Sequence, residues 1–326
     1  MAKIVTLDSG KIKGFTFDLE AEMLKKAGHT LVETTCQNEE EVIAACRDAD
    51  VVLTVISPVT AAVIGSMEKC KAVLCYGIGY DHVDLAAAGK KGVVVCNVPD
   101  YCTEEVAVHA VALILGCIRK LVFYDDRIRQ GIWNSGEGYT VKRASLTSVG
   151  LIGFGAIARN VARYLSTFGF KILVQDPFVD AAALPSYVNL VSLDELYAES
   201  DVISLHAPNT EDTFHMINAE SIAKMKDGVI LVNTSRGGLV KEQDAIAALQ
   251  SGKIKAAGFD VWESEPVRDA NHPLCSMENV VLTPHAGHVS VQATMDLHRK
   301  VAENALRVLA GETPLNIVNK KFLKQD

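Results

Sequence analysis

Three residue types suited to carbonyl chemistry follow directly on apolar runs in the second half of the chain. GVILVNT (228–234) leads into Ser235 and Arg236, IKAAGF (254–259) into Asp260 with Glu263 and Glu265 close behind, and NVVLTP (279–284) into His285. A guanidinium can bind a carboxylate bidentately and polarise an adjacent carbonyl. An imidazole can supply or remove a proton near neutral pH, and a neighbouring carboxylate favours its charged form. Singly, each residue also has a plain structural reading: Arg236 as an ion-pair partner, Glu265 as a solvated loop acid, His285 as a satisfied loop histidine. Apolar runs of this length read as strands, and open parallel sheets bind ligands beyond the carboxyl ends of their strands. The joint placement of arginine, acids and histidine at strand ends therefore favours one shared site. His288 stands three residues beyond His285 in TPHAGH (283–288). A metal clamp there would need further ligands, so no metal is expected. His288 is left as either a rim residue tuning substrate choice or a surface histidine.

Carbonyl reduction needs a hydride donor, and SVGLIGFGAIARNVARYLSTFGFKILVQD (148–176) provides for one. Gly153-x-Gly155-x-x-Ala158 follows an apolar strand, opens a helix, and precedes a second strand ending in Asp176. That acid lies about twenty residues beyond the glycines, as a dinucleotide fingerprint requires. Gly153 permits the tight turn, Gly155 lets backbone approach a pyrophosphate, and Ala158 still allows close helix–strand packing. The N–H groups of Ala156 and Ile157 are expected to meet the phosphates at the helix N-terminus. Asp176 is expected to bind the adenosine ribose and to repel a 2′-phosphate. Pro177-Phe178-Val179-Asp180 supplies no compensating cation, so NAD is favoured over NADP.

These residues need a scaffold, and the chain alternates apolar runs with amphipathic segments almost throughout. KIVTLD (3–8), TLVETT (30–35), VVLTVI (51–56), KAVLCYG (71–77) and GVVVCNV (92–98) form a first series of strand candidates. A second runs through TSVGLIG (147–153), KILVQD (171–176), DVISLHA (201–207) and the three runs above. This rhythm predicts an α/β protein with two doubly wound parallel sheets. Between the series, TEEVAVHAVALILGCIRKL (103–121) reads as a long helix with Thr103 as its cap. The segment 124–145, with a lone Trp133, reads as a surface connection or an oligomer arm. A second long helix, 291–312, is expected to return the chain to the first domain.

The 326 residues are 49% hydrophobic and carry a net charge of −8 with no basic run, which favours two well-packed domains and disfavours nucleic acid or a membrane surface as partner. The most apolar stretch, 106–118, is too short to span a bilayer. No signal peptide is read in MAKIVTLDSG, and the eight cysteines are scattered without a C-x-x-C pair. Reduced thiols in a cytoplasmic protein are expected.

Along nearly its whole length the sequence resembles the D-isomer-specific 2-hydroxyacid dehydrogenases. The matching blocks are YGIGYDHVDL (76–85), VCNVPDYCTEEVAVHA (95–110), VGLIGFGAIARNVA (149–162), VILVNTSRGGLVKEQDAIAAL (229–249), GFDVWESEP (258–266) and TPHAG (283–287). Block 95–110 is also similar to the C-terminal binding protein corepressors. The resemblance implies a Rossmann NAD-binding domain (100–285) inserted into a flavodoxin-like substrate domain (1–99 plus 286–326), and a homodimer formed through the NAD domain. It implies that Arg236 and the backbone of Ile78 and Gly79 hold a substrate carboxylate. His285 becomes the acid/base with Glu265 as partner, Asp260 contacts the nicotinamide carboxamide, and Ala207, Pro208 and Thr234 line the cofactor site. Three departures stand out: Ala158 for the third glycine, Val108 where the helix often carries an acid, and Cys75 where phosphoglycerate-type members carry arginine. The last disfavours a phosphorylated substrate. The sequence closes soon after its last helix, so no regulatory C-terminal domain is expected.

The reaction so implied is the NAD-dependent interconversion of a small 2-keto acid and its D-2-hydroxy acid. One alternative is a non-catalytic, NAD(H)-sensing interaction protein of the corepressor kind. Another is formate or phosphite oxidation on the same fold; the lack of a basic residue in 74–80 disfavours the doubly charged phosphite.

Overall fold

The computed structural model describes residues 1–323, in two compact units: 1–102 with 290–323, and Thr103–Val289.

In the first unit, β1 (Lys3–Thr6), α1 (Asp18–Lys26), β2 (Thr30–Glu33), α2 (Glu39–Cys46), β3 (Val51–Thr54), α3 (Ala61–Ser66), β4 (Ala72–Cys75), α4 (Leu85–Lys91) and β5 (Val94–Cys96) alternate along the chain. Asn38, Thr60 and Asp84 cap α2, α3 and α4 by accepting a first-turn N–H. The strands lie in the order β2-β1-β3-β4-β5, all parallel. That is the flavodoxin-like order, with its switch point between β1 and β3. β3 and β4 are buried along their whole length because helices cover both faces. Cys75 ends β4 in this core, and burial pushes its thiol up to about 12. All eight cysteines are free, and only Cys275 is exposed.

The second unit opens with α5 (Thr103–Arg119) and α6 (Leu121–Arg129). Thr103 is the first helical residue rather than the cap, a shift of one position that helix ends commonly show. α5 is apolar because it is a core helix: Ala107, Ala110, Ile114 and Cys117 are buried against the sheet and the helix at Ala156–Thr167. α6 makes the first residues of the expected connection or arm at 124–145 helical, through Arg129. It buries no residue, so no apolar stripe announced it.

Next come β6 (Ser148–Ile152), α7 (Ala156–Thr167), β7 (Lys171–Gln175), β8 (Val188–Leu190), α8 (Leu193–Glu199), β9 (Val202–Leu205), α9 (Ala219–Lys224), β10 (Val229–Asn233), α10 (Glu242–Ser251), β11 (Ile254–Phe259) and β12 (Val280–Leu282). The order β12-β11-β10-β9-β6-β7-β8 is the Rossmann arrangement extended by one strand, again all parallel. β8 had no counterpart among the expected strands. It has three residues, two of them exposed, too few to show a period.

The final helix, α11 (Val291–Leu309), belongs to the first unit as expected. Ser290 caps it by accepting the Ala293 N–H. Leu297, Val301, Ala305 and Val308 form its buried stripe, packed with Ile4, Leu24 and Leu74. Burying each Leu or Val contributes about 1.5–3 kcal/mol. Among the described residues no single helix is long and apolar enough to cross a membrane.

Candidate active site

The histidine loop is fastened by the residue that ends β11. Asp260 is 1% exposed. Its carbonyl accepts the His285 N–H at 2.7 Å, and its carboxylate accepts the N–H groups of Ala286 and Gly287 at 2.8 and 2.9 Å and the Thr283 hydroxyl at 2.5 Å. Burial opposes charge on this carboxylate, yet His109, Thr283 and the two backbone donors hold its carboxyl far below the usual range. These bonds keep His285 in the left-handed region, at φ 54°.

His285 Nδ1 lies 2.8 Å from Glu265 Oε2. Burial resists ionisation of Glu265, but the His285 bond, the Trp262 N–H and the nearby Arg236 guanidinium keep its carboxyl below the ordinary value. An ionised carboxylate only accepts, so His285 must donate through Nδ1, and Nε2 is the atom left for proton transfer. The ring is 45% exposed.

Arg236 reaches this pair because two segments come unusually close. A Cβ at Gly237 would lie 1.7 Å from the Trp262 carbonyl oxygen, so only glycine lets the turn after β10 press against the stretch leading to Glu265. Asn233 Nδ2 holds the Arg236 carbonyl at 2.8 Å, and the Arg236 guanidinium donates to the Ser235 carbonyl at 2.6 Å. His288 stands edge-on to His285, with ring centroids 5.8 Å apart. Burial, then the charge of His285, lowers its imidazole below the usual value. Among the described residues no group of three or more His, Cys, Asp or Glu could hold a metal ion.

The dinucleotide elements assemble at the centre of the same sheet. Gly153 has φ 88°, and a Cβ there would sit 2.8 Å from the carbonyl carbon and oxygen of His206. Glycine therefore lets the β6–α7 turn touch the end of β9, where Ala207 and Pro208 follow. α7 begins at Ala156 with Gly155 as its cap and no side chain on its first N–H groups, so those of Ala156 and Ile157 are open to an anion. Asp176 accepts from the Phe154 and Phe178 N–H groups at 2.7 and 2.8 Å, and each oxygen retains capacity for a hydroxyl donor. Thr234 is 8% exposed, and its buried hydroxyl has no partner among the described residues. An uncapped helix start, an acid at the next strand end and an orphaned hydroxyl fit a dinucleotide.

Arg236, Asp260, Glu265, His285 and His288 thus gather in one unit, on one sheet with the fingerprint residues. Ile78 and Gly79 belong to the other unit, in the loop after β4. Sequence reasoning missed His109 and Thr283. His109 Nε2 lies 3.0 Å from Thr283 Oγ1 and 3.4 Å from Asp260 Oδ1. Its only signal was a polar residue alone in the apolar run VAVHAVALIL.

The same organisation recurs in known proteins. Residues 111–287 match the family model described as the D-isomer specific 2-hydroxyacid dehydrogenase NAD binding domain. A hydroxypyruvate reductase of Blautia hydrogenotrophica is 36% identical over 98% of this chain and 100% of its own. A glyoxylate reductase of Thermofilum pendens is 36% identical over 88% of this chain and 86% of its own. The crystal structure of Aquifex aeolicus D-lactate dehydrogenase with NAD and lactic acid superposes with a TM-score of 0.85, at 29% identity over 95% of this chain and 96% of that one. With a fold, a nicotinamide-dinucleotide site and full-length relatives in common, the chain belongs to the D-isomer-specific 2-hydroxyacid dehydrogenase family.

Proposed function

We propose that the protein reduces a small 2-keto acid of the glyoxylate or hydroxypyruvate kind to the D-2-hydroxy acid, reversibly and with NADH. The observation that carries this is the His285–Glu265 pair at 2.8 Å beside Arg236. The names of the two reductases above support the choice of acid. NADH supplies the hydride when bound. The N–H groups of Ala156 and Ile157 would hold its pyrophosphate, Asp176 its ribose, and Ala207, Pro208, Thr234 and Asp260 its nicotinamide end. Arg236 binds the substrate carboxylate together with the backbone of Ile78 and Gly79. His285 donates the proton from Nε2 to the carbonyl oxygen, and Glu265 stabilises the imidazolium through Nδ1. His288 faces the substrate side chain.

A homodimer formed through the second domain is part of this reading. Leu121, Ile128, Trp133 and Leu146, all more than half exposed, are apolar side chains in and beyond α6 that such a contact would cover. Free, mostly buried thiols favour the cytoplasm.

Spectrophotometry with NADH and a panel of 2-keto acids tests the reading. Turnover is expected on glyoxylate or hydroxypyruvate. His285→Ala and Arg236→Ala should each lower kcat/KM by about 10²–10⁴-fold while leaving NADH binding largely intact. Near-wild-type turnover in either variant would sink the assignment. Tight NADH binding without turnover on any acid would favour the interaction-protein alternative.

A further inference from the structure

The loop after β4 is held from the side of β5. The Val98 N–H donates to the Gly77 carbonyl at 2.9 Å, and Asn97 Nδ2 donates to the Ile78 carbonyl at 2.7 Å. Asn97 is 6% exposed. In an extended strand successive carbonyls point to opposite sides. Here two in succession point the same way. A trans peptide aims its N–H opposite to its C=O, and the only cis bond among the described residues precedes Pro266. The N–H groups of Ile78 and Gly79 therefore both face away from Asn97 and Val98. Consecutive N–H groups turned to one side make an anion-binding concavity. Neither has a hydrogen-bond partner among the described residues.

We propose that Asn97 is a positioning residue for the substrate: its side-chain amide locks the Ile78–Gly79 peptide in the orientation that turns both N–H groups onto the substrate carboxylate. This rests on the reading above, in which that loop and Arg236 share the carboxylate. Without the Asn97 donor, the Ile78–Gly79 peptide is free to rotate and withdraw one of the two N–H groups. The rest of the loop does not depend on Asn97. The Tyr76 hydroxyl donates to Glu20 at 2.7 Å, and Glu20 is paired with His298 of α11 at 2.5 Å. The carboxylate keeps the same charge throughout hydride transfer, so its cradle binds ground and transition states alike. Loss of such uniform binding raises KM and spares kcat.

The test is steady-state kinetics of the full chain with NADH and whichever of glyoxylate and hydroxypyruvate the wild type turns over faster, with oxamate as a carboxylate-bearing inhibitor. In Asn97→Ala, KM for the keto acid and Ki for oxamate should rise about tenfold, the equivalent of one buried hydrogen bond, with kcat held within about threefold and KM for NADH unchanged. Asn97→Asp keeps the size and replaces the donor with an acceptor facing a carbonyl. It should be worse on the same two constants, and it carries the test if the alanine variant does not fold. A folded variant with KM and Ki within about twofold of wild type, or with lowered kcat at unchanged KM, overturns the proposal. Arg236→Ala separates the two layers. If it too leaves KM and Ki unchanged, the carboxylate reading itself has failed. If it loses oxamate binding while the Asn97 variants do not, only the role of Asn97 falls.

Discussion

In the first domain Asp8 gathers the N–H groups of Val55, Ile56 and Ser57 at 2.7, 3.2 and 3.3 Å. In the second, Asp260 gathers those of Ala286 and Gly287 at 2.8 and 2.9 Å. Each carboxylate is buried, each fastens a loop just past the carboxyl end of a parallel strand, and each is held below the usual range although burial opposes its charge. What the loops present differs. Asp8 leaves Ile56 54% exposed, an apolar side chain with shape to offer but no acid–base chemistry. Asp260 leaves His285, the proposed proton carrier, and holds it at a left-handed φ that costs about 1–2 kcal/mol for a non-glycine residue. One device therefore supports shape without strain in one domain, and chemistry with strain in the other.

The sharpest way to break this comparison is Asp260→Ala. It removes the acceptor of three donors, so the histidine loop should relax out of the left-handed conformation. A misplacement of about 1 Å costs on the order of 10²-fold in turnover, and kcat/KM should fall by 10²-fold or more. Asp260 is also the proposed nicotinamide contact. NADH titration separates the two roles: a loss of NADH affinity alone, with turnover at saturating cofactor kept, would leave Asp260 as a cofactor ligand only.

Asp8→Ala should matter less to turnover and more to stability. It strands three backbone donors and the Lys11 ammonium 3.1 Å away, a loss of about 1–3 kcal/mol, while kcat/KM falls by about tenfold at most. Its pH dependence has a definite sign. The folded-state pKa is depressed, so the carboxylate contributes stability fully above the unfolded value of 3.8 and loses it as pH falls through the lower folded value. The stability gap between wild type and Asp8→Ala should therefore be flat above about pH 5 and close in more acid solution. A gap that widened on acidification would contradict the assignment.

The two loops also mark what the sequence could reveal. Strands with continuous apolar runs, the glycine turn before α7 and the polar residues just after β10, β11 and β12 were legible, because a parallel sheet puts strand ends in one place whatever the loops do. β8 and α6 were not, being too short or too exposed to show a period. Asp8 and Asn97 were equally invisible. Asp8 meets its loop 47 residues away, Asn97 meets Ile78 19 residues away, and neither residue looks different in the string from an ordinary loop acid or amide. Asp260 was legible by its position at a strand end, but not that the next strand's loop would fold back onto its carboxylate.

The finest test concerns His288, whose ring stands 5.8 Å from that of His285. Burial, then the charge of His285, keeps its imidazole below the ordinary pKa, so it is neutral at pH 7. Replacing it with alanine removes no charge from beside His285, and the acid/base step should proceed nearly as before. What changes is volume next to the site. If His288 touches the substrate side chain, His288→Ala should shift the ratio of kcat/KM between glyoxylate and a bulkier 2-keto acid by about 10-fold, the scale of one or two methylenes in a pocket, with glyoxylate itself within about threefold of wild type. An unchanged ratio would assign His288 to the surface and leave selectivity to the Asp8-held loop, where Ile56→Ala should then move the same ratio.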